Sequence, residues 1–298
     1  MSGERVRYQS DLEDSARWDG FVLRPGDIVI SARSKTGTTW VQMICALLVF
    51  QTADLPAPLT TLSPWLDMKL RPVDEVHRQL TEQRHRRFIK THTPLDGLPY
   101  DAGVTYVVTA RDPRDMAVSL YHQSANLDRD RIRRLLDEPE PPAGTPPTVR
   151  RDARQALLNW IEDSGSPQES MDSLRGVMAH VSEAWERRQE SNVVLVHYHD
   201  LSDDLDGEMR RLADELGVTV PERGWPGLVR AARFDSMRAR ADELVPDERI
   251  GLLRSNQRFF RSGESGQWRE LLAPAEVARY DAKVAGLAPA DLLEWLHR

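Results

Sequence analysis

Residues 27–50 read DIVISARSKTGTTWVQMICALLVF, and no other stretch constrains the fold as strongly. Asp27 to Ala32 is a short apolar run after a Pro25-Gly26 turn, the pattern of a buried strand. From Thr38 to Phe50 the period changes, and Trp40, Ile44, Leu47 and Leu48 share one helical face. The loop SKTGTTW, Ser34 to Trp40, therefore joins a strand end to a helix start. Unpaired N–H groups and the helix dipole favour an anion at such a place. Gly37 permits close backbone approach, Thr38 and Thr39 add hydroxyl donors, and Lys35 adds one positive charge. The ordinary alternative is a capped turn, a role threonine also fills. The loop lacks the kinase pattern G-x-x-x-x-G-K-[ST], because only Gly37 is present and the lysine precedes it. No strand ends in a clear magnesium-binding aspartate either, since VVTA is followed by Arg111. The loop reads as a phosphate cradle without an obligatory metal.

Three more strands are predicted: Arg87 to Thr91, Val104 to Ala110 and Asn192 to Tyr198. Helices are predicted over Asp74 to Arg84, Arg114 to Ser124, Asp203 to Leu216, Glu222 to Ala232, Pro274 to Ala285 and Pro289 to His297, with a Pro-rich loop from Pro56 to Pro64. Strands alternating with helices argue for an α/β chain with a parallel central sheet covered on both faces. The expectation is one domain over residues 1–298. Within it Asp128 to Arg151, which contains PEPPAGTPP, reads as a mobile loop or lid.

Composition excludes several classes. The 298 residues carry 40 Lys plus Arg against 47 Asp plus Glu, a net charge of −7, which argues against a nucleic-acid binder. Cys45 is the one cysteine, so no intramolecular disulfide framework exists. The longest largely apolar run, Val41 to Phe50, is half of what a membrane span needs, and the N-terminus has no apolar signal core. A cytoplasmic setting is expected. Only four lysines, Lys35, Lys69, Lys90 and Lys283, stand among thirty-six arginines. Lys35 and Lys90 sit beside other chemical groups, where a compact ammonium is not replaced by a guanidinium. Lys69 and Lys283 read as surface residues.

Three further segments carry chemistry. In FIKTHTPL, Phe88 to Leu95, Lys90 and His92 are two apart and point the same way on an extended chain. Histidine suits proton transfer near neutral pH, although a solvated strand end is the usual meaning of Lys-x-His. In ARDPRDMAVSLYH, Ala110 to His122, Arg111 leaves a buried strand and Ser119 lies two helical turns on. An ion pair with Asp112 or Asp115 is the ordinary alternative for Arg111. Lys35, Lys90, His92 and Arg111 gather at the carboxyl ends of strands, where doubly wound sheets bind ligands. Their charge points to an anionic ligand. In RFFRSGESGQW, Arg258 to Trp268, two arginines and two glycines make a basic loop whose aromatics argue against disorder.

These segments, in this order and spacing over about Gly20 to Leu272, resemble the PAPS-dependent sulfotransferases of the cytosolic type, where PAPS is 3′-phosphoadenosine 5′-phosphosulfate. The wording is closest to actinobacterial members, which include a mycobacterial glycolipid sulfotransferase. The resemblance implies the family's single-domain α/β fold with its P-loop-like strand–loop–helix. It implies a 5′-phosphosulfate loop of Lys35, Thr36, Gly37, Thr38, Thr39 and Trp40. It implies a 3′-phosphate grip by Arg111, Ser119, Arg261, Ser262 and Gly263, with Tyr198, Trp40 and Phe234 at the adenine. Ser34 stands where the family usually has proline, Ser262 where it has lysine, and Ala232 where it often has threonine. After Trp268 the family's dimer motif is not evident, so the oligomeric state stays open.

The implied reaction moves the sulfuryl group of PAPS in line to a hydroxyl of a small-molecule or glycolipid acceptor, without a metal. His92 would take the hydroxyl proton, Lys35 and Lys90 would meet developing charge, and Ser119 would restrain Lys35 until an acceptor binds. A small-molecule kinase is the rival enzyme, and it would need magnesium. A non-catalytic nucleotide-binding protein would have no use for Lys90 and His92 together.

Overall fold

Four short apolar runs become strands β1 (Ile28–Ala32), β2 (Phe88–Thr91), β3 (Thr105–Ala110) and β4 (Val193–His197). The computed structural model describes residues 5–140, 152–245 and 250–298. All strand pairs are parallel, in the order β2-β1-β3-β4. The strands are buried almost throughout, as a sheet covered on both faces requires.

The covering helices are α1 (Thr38–Phe50), α2 (Leu59–Leu62), α3 (Val73–Glu82), α4 (Pro113–Ser124), α5 (Arg129–Leu135), α6 (Ala153–Glu162) and α7 (Leu174–Glu186). The remainder are α8 (Tyr198–Asp203), α9 (Leu205–Glu215), α10 (Trp225–Ala232), α11 (Phe234–Ala239), α12 (Ala241–Leu244), α13 (Pro274–Ala285) and α14 (Ala290–Leu296). The period-two alternation of the strands divides the core. Ile28, Ile30, Phe88, Val107, Val194 and Val196 pack with α1, α9 and α10 on one face. Val29, Ile89, Tyr106, Val108 and Val193 pack with Trp18, Phe21 and Leu66 on the other. Among the described residues no helix is long and apolar enough to cross a membrane.

Several expectations need correction. The Pro-rich loop holds the one-turn helix α2, because Leu59 and Leu62 are buried and anchor it. The helix expected over Asp203 to Leu216 is α9, whose start Asp204 caps by accepting from Gly207 N, and the short helix α8 precedes it. Tyr198 opens α8 and does not end β4. The segment expected as loop or lid begins with a helix: Asp128 caps α5, which buries no residue of its own. Residues 141–151 of that segment lie outside the described residues. Helices α6 and α7 were not anticipated at all.

Two chain segments are locked at the base of the sheet by Asp27 and Arg87, each 2% exposed. Arg87 Nε donates to Asp27 Oδ1 at 2.8 Å, and its second nitrogen pairs with Oδ2. Removing one member of a buried pair strands the other charge, at a cost of about 3–5 kcal/mol. Arg87→Met should lower unfolding stability by about that amount. A denaturant midpoint equal to wild type would show that the pair is dispensable.

Candidate active site

Gly37 caps α1 at φ 101°, in the left-handed region, and offers no side-chain hydrogen bond to the helix start. A Cβ there would stand 3.1 Å from the Tyr198 ring, so the loop needs glycine for space as well as conformation. Lys35 also has a positive φ, of 69°. The capped-turn alternative therefore fails: no side chain satisfies the N-terminus of α1, and Ser34, Lys35, Gly37, Thr38, Thr39 and Trp40 line a cavity beside it. Thr36 does not face that cavity. Its hydroxyl donates to Arg33 O at 2.7 Å and pairs with Thr109 Oγ1 at 2.6 Å.

The cavity's far wall is Arg111, Ser119, Tyr198, Phe234, Arg261, Ser262 and Gly263. Arg111 makes neither of the ion pairs that would explain it away. Asp112 is taken by Arg114, and Asp115 accepts from Gly266 N at 2.7 Å. Arg111 lies 4.1 Å over the Tyr198 ring and donates to Glu264 O at 2.8 Å, while its buried Nε has no partner. An unsatisfied donor of this kind is costly and needs an explanation, which an anionic ligand would supply. The 258–268 loop is held in place, with Phe260 and Trp268 buried. Gly263, at φ 72°, lies so close to Phe234 that a Cβ would meet the ring at 3.0 Å. Trp40 meets Tyr198 edge-on at 5.3 Å and donates to Ala232 O at 2.8 Å. Arg261 donates to Gln267 Oε1, and Gln267 Nε2 donates to Ser262 Oγ at 3.1 Å.

Lys90 and His92 line the same cavity and are 6% and 4% exposed, which excludes a solvated strand end. Both lie on Trp65, with Lys90 Nζ 3.7 Å and the His92 ring 4.2 Å from its centre. His92 Nδ1 pairs with Glu13 Oε1 at 2.7 Å, and His92 N donates to Asp67 Oδ2 at 2.9 Å. Burial, then the charges of Lys90 and Arg33, hold the imidazole pKa well below its usual value. Burial lowers Lys90 to about 8. Lys35 is lowered to about 7 by burial and then by Arg111, Lys90 and Arg261. Ser119 lines the cavity, but the Lys35 ammonium donates to Gln123 Oε1 at 3.1 Å, one helical turn further along α4. Gln123 and the Phe259 ring, 4.3 Å away, hold Lys35.

Sequence reasoning missed Glu13, Trp65, Asp67, Gln123 and Phe259. Gln123 carried a signal, four residues after Ser119 and so on its helical face. Phe259 lay within a segment already singled out. Glu13 sits in a polar stretch and Asp67 in a largely apolar one, and neither has a local pattern.

The family model described as "Sulfotransferase domain" matches residues 25–290. The chain belongs to the sulfotransferase family. This sulfotransferase is 43% identical to the glycolipid sulfotransferase of Mycobacterium bovis, over 99% of its own length and 94% of the relative's. It is 28% identical to sulfotransferase 1A1 of Canis lupus familiaris, over 94% and 88%. Its fold is that of retinol dehydratase, solved with androsterone and the inactive cofactor PAP: the TM-score is 0.70 at 22% identity, over 91% and 83% of the two chains. Mouse sulfotransferase SULT7A1, solved with PAP, aligns with a TM-score of 0.68 at 19% identity, over 95% and 92%.

An anion in this cavity favours the ammonium of Lys35 and so raises its pKa from about 7. Binding should therefore take up protons above that pH, and affinity should fall as pH rises through it. Sulfate does not titrate near neutrality and isolates the effect. Calorimetry at pH about 7.5 in two buffers of different ionisation enthalpy should show net proton uptake, most of it lost in Lys35→Met. Uptake unchanged in that variant would assign the proton elsewhere.

Proposed function

We propose that this sulfotransferase transfers the sulfuryl group of PAPS to a hydroxyl of a small-molecule or glycolipid acceptor, with His92 as the base. The observation that carries the reading is the convergence of Lys35, Lys90, His92 and Arg111 on one cavity at an uncapped helix start. Thr38, Thr39 and the first N–H groups of α1 suit the 5′ phosphosulfate. Arg111, with its unpartnered Nε, and Arg261 suit the 3′-phosphate, while Trp40, Tyr198 and Phe234 suit the adenine.

A neutral His92 takes the acceptor's hydroxyl proton as its oxygen bonds to sulfur. The bond from sulfur to the bridging oxygen breaks in line, and adenosine 3′,5′-bisphosphate leaves. Lys90 meets the sulfuryl oxygens, and Lys35 meets charge on the bridging oxygen and phosphate. Both lysines are cationic in the complex, because the anion opposes the downward shift that burial imposes on them.

A glycolipid acceptor is supported by the 43%-identical mycobacterial relatives, which are glycolipid sulfotransferases. It is supported also by a second cavity that shares Trp65 and Lys90, where Leu59, Met68, Leu244 and Ile250 stand beside Thr60, Arg71 and Gln79. Apolar and polar walls together suit an acceptor with a lipid portion and a hydroxylated head.

The direct test is incubation with sulfur-labelled PAPS and a panel of hydroxyl acceptors, without added metal; no labelled product from any acceptor would defeat the reading. His92→Ala should lower turnover by about 10²- to 10⁴-fold and leave PAPS affinity nearly unchanged. Wild-type turnover in that variant would remove His92 as the base. Arg111→Ala should weaken PAPS by roughly ten- to a hundredfold and hardly affect adenosine 5′-phosphosulfate, which lacks the 3′-phosphate. Ser262→Lys should tighten PAPS alone. Equal weakening of both nucleotides in Arg111→Ala would assign the 3′-phosphate to other residues.

A further inference from the structure

Two buried carboxylates flank His92, and the transfer chemistry uses neither. Asp67 serves the backbone. Its Oδ2 accepts from the N–H groups of His92 and Thr93 at 2.9 and 3.0 Å and from the hydroxyls of Thr91 and Thr93 at 2.6 and 2.7 Å. Glu13 serves the ring. Its Oε1 lies 2.7 Å from His92 Nδ1, and its Oε2 accepts from two nitrogens of Arg33 at 3.4 Å. The two carboxylates arrive together, because Glu13 bridges Met68 in antiparallel register and Asp14 N donates to Asp67 O. Glu13 is 6% exposed and precedes the 25–290 span that the family model matches.

An ionised carboxylate only accepts, so a bond from Nδ1 to Glu13 puts the ring proton on Nδ1. The lone pair is then on Nε2, the nitrogen free for a hydroxyl in the cavity that His92 lines. The ring is surrounded by charge from every side. Lys90 on β2 and Arg33 beyond β1 oppose an imidazolium, Asp67, Asp172 and Glu13 favour one, and His180 on α7 is held neutral by burial. Of these, Glu13 alone is bonded to the ring.

We propose that Glu13 is the positioning residue of the base: it holds the Nδ1–H tautomer of His92, aims Nε2 at the acceptor hydroxyl, and stabilises the imidazolium formed as the proton arrives. The proposal rests on His92 being the base. The proton goes from the acceptor oxygen to Nε2, while Nδ1 keeps its own proton and Glu13 remains ionised.

Glu13→Gln keeps the size and one acceptor oxygen but removes the charge. Turnover should fall roughly 10- to 10³-fold, a part of what a positioned base is worth. The dissociation constant for adenosine 3′,5′-bisphosphate should stay within about twofold, since Glu13 is not a lining residue of the nucleotide cavity. The acid limb of the kcat/KM profile should move to lower pH, because the imidazolium loses its counter-charge. Glu13→Asp should recover part of the loss. In the His92→Ala background, Glu13→Gln should cost nothing further, which a merely structural role would not predict. Nitrogen-15 NMR of the wild-type histidine rings checks the tautomer without any variant, and should find neutral His92 with its proton on Nδ1. A proton on Nε2, turnover in Glu13→Gln within twofold of wild type, or equal losses in both backgrounds would overturn the proposal. An inactive His92→Ala beside a fully active Glu13→Gln removes only the role of Glu13; a fully active His92→Ala removes the base itself.

Discussion

The guanidinium of Arg33 ties the two halves of the site together. It stands 2% exposed between the end of β1 and the SKTGTTW loop. It donates to His92 O, to Asp172 Oδ1 and to Glu13 Oε2. Asp172 in turn accepts from Ser34 N, at the entrance to the loop. One buried cation thus fixes the histidine segment, the carboxylate that holds its ring, and the start of the phosphate cradle. Without it, Glu13 would be left as a buried carboxylate with only the imidazole as partner, the situation that makes broken buried networks costly. The donor side and the acceptor side of the site share this one point of reference.

Around that point the protein tolerates an arrangement unfavourable in itself. Lys35, Lys90, Arg111 and Arg261 face one cavity, the repulsion of the other three adds to the burial of Lys35, Lys90 is buried as well, and Arg111 keeps an unpartnered donor. Lys35 adopts a left-handed backbone conformation, and the start of α1 has no side-chain cap. Each is a local violation of what stability alone would select, and all of them meet in the same cavity. Concentrated violations of this kind mark a place shaped for a ligand, here one with several negative charges. Gln123, Phe259 and Gln267 hold the long cationic side chains in the meantime, so the cradle is ordered and its charge still accessible.

Local pattern was a sound guide to much of this. The DIVISA strand and the strand before Arg111 rest on short apolar runs, and the helix over Thr38–Phe50 on a side-chain period of 3.6 residues, which short stretches of sequence carry by themselves. The same holds for Lys90 and His92, whose common direction follows from their spacing on an extended chain. Helix α7 is equally legible, with Leu174, Val177, Met178 and Val181 at helical spacing.

The chain's own order of residues determined the strand–loop–helix, the lysine and histidine two apart, and the arginine at a strand end, because each is a relation between near neighbours. Tertiary structure decided what those groups touch. Glu13 reaches His92 across 79 residues, Asp67 across 25, and Arg33 reaches Asp172 across 139. It also gave the Thr36 hydroxyl to Arg33 O and the Lys35 ammonium to Gln123. Such contacts depend on the register that sets Ile30 opposite Lys90 and Ser31 opposite Thr91, and on the bridge of Glu13 to Met68. A sheet register is the outcome of burying whole faces at once, so no local stretch contains it.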